Sequence, residues 1–131
     1  MKLENNWRYK SLQNLEKIAL EDPATAPTRL VRRCLELLKV PLNEFNTENL
    51  RLMIGQEFSL PYLVPLAIEK LTEDLFAEGD YYPGDLLAVV LKIKTAFWED
   101  NQQLFNAVTS LINSRYDEIE DAGISLGSFA T

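Results

Sequence analysis

Apolar residues recur along this chain at helical spacing, and prolines, glycines and capping residues interrupt the pattern at short intervals. Ser11 opens a first short helix, Leu12 to Ile18, as its side-chain cap. Asp22 to Pro27 reads as a loop. Thr28 to Lys39 follows as a helix, with Leu30, Cys34, Leu37 and Leu38 on one face. Val31 and Leu35 widen that stripe, which predicts a well-buried helix. Val40-Pro41 ends it, because a residue before proline avoids helical backbone angles. Leu42 to Phe45 fits a single turn. Asn46 or Thr47 then caps a helix through Met53 and Ile54. Glu48 lies in its first turn, where the helix dipole favours an anion, and Gly55 is its stop.

In the second half, Ser59 and Pro61 mark the entry to a helix. Leu60, Leu63, Ala67, Leu71 and Leu75 carry its stripe to about Ala77, and Gly79 closes it. Pro65 should remove one backbone hydrogen bond inside it and bend it. Asp80 to Asp85 is a tight loop. Leu86 to Ile93 continues as helix, with Leu86, Val90, Ile93 and Phe97 on one face. Val89-Val90-Leu91 could compete as a strand, but strand turns are missing on both sides. A last long helix covers Asn101 to Asp121, with Leu104, Val108, Leu111 and Ile112 inward and Tyr116 and Ile119 beyond. Gly123 to Thr131 reads as a loose tail. The sum is an all-α single domain over residues 1–131, with about six or seven helices.

Composition supports that architecture and narrows the chemistry. A chain of 131 residues suits one domain, and its 47% hydrophobic content can fill one core. One cysteine rules out an internal disulfide, and Cys34 in its apolar stripe reads as a small buried hydrophobe. Met1 to Asn6 lacks the apolar core of a signal peptide, and no window reaches about 18 uninterrupted apolar residues. The expectation is a cytoplasmic chain without a membrane span. Histidine is absent, which removes the commonest general base and the usual transition-metal ligand. The five glycines stand apart and form no phosphate loop or dinucleotide fingerprint. No catalytic residue, metal, cofactor or small-molecule substrate is therefore expected. A two-carboxylate hydrolase could draw on Glu73/Asp74, Glu99/Asp100 or Asp80/Asp85, but sequence adjacency does not bring two acids into one cleft. Calcium at Asp80 to Asp85 lacks the spacing of an EF-hand.

Charge is more informative. The net charge of −7 divides into +2 over residues 1–56, −6 over 57–100 and −3 over 101–131. An acidic second half repels phosphate backbones and argues against direct nucleic-acid binding, but it suits a basic protein partner. Glu69, Glu73, Asp74, Glu78, Asp80 and Asp85 cluster there, with Tyr81 and Tyr82 among them. Glu69–Glu73 and Asp74–Glu78 are like charges at i,i+4, each unfavourable in a helix by about 0.2–0.5 kcal/mol. They also approach a helix carboxyl end, which disfavours anions. A cluster that local stability resists is a candidate functional site, and the tyrosines supply contact area typical of interfaces. Asp117, Glu118, Glu120 and Asp121 repeat the oddity at the end of the last helix. Arg29, Arg32 and Arg33 are candidates to pair with acids of the same fold.

Asn5 to Lys17, Pro41 to Phe45, Asn49 to Gln56, Leu60 to Ala67 and Ala77 to Leu87 together resemble a family of contact-dependent growth inhibition (CDI) immunity proteins. Ile54-Gly55-Gln56 and Glu78-Gly79-Asp80-Tyr81-Tyr82-Pro83-Gly84-Asp85-Leu86-Leu87 carry the most specific likeness, and the carboxyl-terminal third matches loosely. The resemblance implies a cytoplasmic protein that binds the toxic carboxyl-terminal domain of a surface-delivered effector in a stoichiometric complex. Many such toxins are nucleases, whose active sites must attract phosphate and present basic surfaces. The expected toxin-binding residues are Glu69, Glu73, Asp74, Glu78, Asp80, Tyr81, Tyr82 and Asp85. The alternative is a helical adaptor or regulatory subunit of another cytoplasmic complex.

Overall fold

In the computed structural model, residues 3, 5–19 and 22–130 are described. Met1, Lys2 and Glu4 of the predicted polar terminus, and Thr131 of the predicted tail, lie outside them. Side-chain caps start several elements where the sequence places them. Ser11 accepts the Asn14 N–H at 3.1 Å and opens α1, Leu12–Glu16. Thr28 accepts the Val31 N–H at 3.1 Å and opens α2, Arg29–Leu37. Asn46 and Asn49 exchange side-chain-to-backbone bonds in a capping box that opens α3, Thr47–Gly55. α4, Leu60–Glu73, begins with Pro61 in its first turn and runs through Pro65. α5, α6, α7 and α8 follow as Asp85–Leu91, Thr95–Asp100, Gln102–Ile112 and Tyr116–Asp121. Short 3-10 turns at Trp7–Tyr9, Pro23–Thr25, Leu42–Glu44 and Gly127–Phe129 complete the secondary structure, and the described residues contain no strand.

α3 packs against both α4 and α5, and α4 also packs on α7. One continuous apolar cluster runs from Trp7 and Leu12 through Leu50, Met53, Leu63 and Leu86 to Trp98, Ile119 and Phe129. The all-α expectation holds, and Val89-Val90-Leu91 is helical. No helix among the described residues is long and apolar enough to cross a membrane.

Four details differ from the expectation. α2 is buried along a narrow line, because Cys34 and Leu37 face inward while Leu30 and Val31 are 43% and 39% exposed. On the same helix Arg33 pairs with Glu36, an acid of the same fold, in keeping with the expectation for that basic cluster. α4 stops at Glu73 rather than near Ala77, because Asp74 turns to an extended conformation and its carboxylate accepts the Phe76 N–H at 3.1 Å. Leu75 continues the apolar spacing and is buried, but from a turn.

The predicted last helix is broken at Asn113-Ser114, two residue types of low helix propensity. The break puts Asp117 and Glu118 in the first turn of α8, where the dipole favours them, and Glu118 pairs with Arg115. The carboxyl-terminal segment is packed rather than loose. Ile124 and Phe129 are buried, and the Phe129 ring stacks on Phe105 at 4.6 Å and meets Trp98 edge-on at 5.1 Å. Gly127 makes this return possible, since it has φ +54 and a Cβ there would collide with the Leu91 carbonyl. Ile124, Leu126 and Phe129, spaced by glycines and serines, show no helical period, so the segment reads as a tail although it completes the core.

Candidate protein-interaction site

The acidic cluster divides into a helix end and a constrained loop. Glu69 lies on α4, is half exposed and forms an ion pair with Arg8, so part of its charge is already matched. Glu73 is the last residue of α4 and Asp74 is its carboxyl cap, so both sit where the helix dipole disfavours them. Glu78 lies beyond the helix, which means that Asp74–Glu78 is not a helical i,i+4 pair. Glu78 instead pairs with Pro83 in an isolated antiparallel bridge that closes the loop between them. Glu73, Glu78 and Asp80 are exposed and form no ion pair among the described residues.

Tyr81 and Tyr82 lie at the loop's outer edge and are 70% and 45% exposed. Asp85 is the opposite case. At 2% exposure it lies beneath the loop, and its carboxylate accepts the Gly79 N–H at 2.7 Å and the Tyr81 N–H at 3.0 Å. A longer bond of 3.4 Å comes from the Tyr82 N–H. Asp85 is also the first residue of α5, so it places a carboxylate at a helix start as well as holding the preceding loop.

A second support comes from α3. Glu48 accepts the Asp80 N–H at 2.9 Å while Arg51 grips both oxygens of the same carboxylate, Nε to Oε1 and a terminal nitrogen to Oε2, each at 2.6 Å. The hydrogen bond from Arg51 holds the Glu48 carboxyl below its ordinary pKa, and burial opposes it in part. The Arg51 guanidinium then lies over the Tyr81 ring, 4.5 Å from its centroid. Gly79 fits between the two carboxylates with no room for a side chain, since a Cβ would stand 2.6 Å from Glu48 Oε1 and 3.0 Å from Asp85 Oδ2. The sequence shows that Glu48 and Arg51 are opposite charges at i,i+3. It carries no sign that they reach across 32 residues to Asp80.

Beside the helix end, a shallow cavity of about 240 Å³ is lined by Arg8, Leu42, Phe45, Leu50, Glu69 and Glu73, among others. The described residues hold no group of three or more His, Cys, Asp or Glu that could bind a metal. Cys34 is buried and reduced, and burial raises its thiol pKa, so its surroundings do not activate it. Asp80 and Asp85 do not form a matched acid pair, since Asp85 is enclosed by backbone donors and Asp80 is exposed.

These features define a helical protein with an acidic loop that bears two tyrosines and is braced by two carboxylates. The chain belongs to the CDI immunity proteins: their family model matches residues 14–108, which include α2 to α6, the loop and its Glu48–Arg51 support. No curated protein matches the chain, and no solved structure does.

Proposed function

We propose that this chain binds the toxic carboxyl-terminal domain of its cognate CDI effector, one to one, and neutralises it in the cytoplasm without turnover. Membership of the CDI immunity family carries this reading, since the purpose of such a protein is defined by a toxin partner. The contact surface comprises Glu69, Glu73, Asp74, Glu78, Asp80, Tyr81 and Tyr82. Asp85 belongs to it as an internal brace, because a buried carboxylate cannot touch a partner. Uncompensated acids around exposed aromatic rings fit a basic surface, with the acids speeding encounter and the rings slowing release. A nuclease is the toxin class that such a surface suits best, because it must attract phosphate. An acidic protein laid over that site competes by charge and by bulk.

The test uses the toxin domain encoded by the reading frame beside this gene. Co-expression of the intact chain should rescue cells from that domain. The triple variant Glu73→Lys, Asp74→Lys, Glu78→Lys should fold, lose most of its affinity and fail to rescue. Undiminished affinity of the folded triple variant would remove this surface from the toxin interface.

A further inference from the structure

We propose that Glu48 and Arg51 are positioning residues that hold the tyrosine loop in its binding shape from a neighbouring helix. The proposal rests on the reading of residues 78–85 as part of the toxin-binding surface. Neither residue needs to touch the toxin. Their side chains are 20% and 16% exposed, and both are occupied within the protein. Glu48 fixes the loop backbone at Asp80, Arg51 fixes Glu48 by a two-pronged bond, and the same guanidinium lies against the ring of Tyr81. A loop residue that is 70% exposed would otherwise choose among rotamers and lose that freedom on binding. Here one ion pair restrains both the backbone and the most exposed ring.

Asp85 braces the loop from inside through Gly79, Tyr81 and Tyr82, so the two carboxylates hold different backbone donors. This division of labour makes the α3 pair separable from the fold. Removing it frees the Asp80 amide and the Tyr81 ring, while the Asp85 brace, which holds the Tyr81 amide, and the core stay in place. Gly79 records the same tightness, since the space a side chain would need is taken by Glu48 and Asp85 together.

The experiment compares the full chain with Arg51→Met and, separately, Glu48→Gln. Amide hydrogen exchange should show faster exchange at Asp80 in both variants, with the Tyr81 amide, held by Asp85, and Leu86 to Leu91 as protected as before. Binding to the neighbouring-frame toxin domain should weaken by roughly tenfold, as expected when pre-organisation is lost. Arg51→Lys should recover part of it, since it keeps the cation but not the fork. Unchanged exchange at Asp80 in both variants would overturn the proposal without any toxin being present. Faster loop exchange with unchanged toxin affinity would overturn it too. Failure of the underlying reading is told apart by the Glu73/Asp74/Glu78 reversal: if that variant binds normally, the surface itself is wrong.

Discussion

Asp85 shows how one residue can serve two neighbours in the chain. As the first residue of α5 it places a negative charge at a helix start, and that role is legible in the sequence. Its reach back to Gly79, Tyr81 and Tyr82 is not, because nothing in residue type says that this aspartate, rather than Asp80, is the buried one. Burying a carboxylate is tolerable here because backbone N–H groups replace its water. Asp85→Asn should therefore be costly despite its small change in shape, since the new amide NH2 would face donors that need an acceptor. We expect a loss of about 1–3 kcal/mol in urea unfolding, and faster exchange at the Gly79 amide. Glu48 and Arg51 stand three residues apart as opposite charges, and that spacing says nothing about the loop they support.

The starts of α1, α2 and α3 are legible for a physical reason: the groups that decide them are local. Ser11, Thr28 and Asn46 each satisfy an amide three residues ahead, so the signal lies within one turn. Helix ends and breaks depended on wider packing. Leu75 keeps the period of α4 but is buried from a turn after Asp74 has left the helix. The segment after Gly123 has no period at all, and its contribution to the core appears only when Phe129 meets Trp98 and Phe105. This makes the terminal turn a structural element rather than an appendage. Phe129→Ala should cost about 3–5 kcal/mol in chemical denaturation, the range for deleting a buried aromatic ring. Tyr9→Ala, at a ring that is 69% exposed, is the control and should cost far less.

At the scale of the whole molecule, the acidity is a field rather than a set of pairs. The net charge of −7 is drawn mainly from residues after 56, and Glu73, Glu78 and Asp80 form no ion pair among the described residues. Such a field acts at a distance on a basic partner, whereas Tyr81 and Tyr82 act only after contact. The two contributions should therefore separate kinetically. Raising the salt from physiological to 1 M shortens the screening length from about 8 Å to about 3 Å. Association with the toxin domain should then slow by about tenfold or more, with dissociation changing far less. The Glu73/Asp74/Glu78 reversal should flatten that salt dependence. Tyr81→Ala with Tyr82→Ala should leave it in place and speed dissociation instead. Stopped-flow association and surface-based dissociation, run on the same three proteins, read both quantities. A wild-type association rate indifferent to salt would mean that the acids around the loop work only in contact, and electrostatic steering would have to be given up.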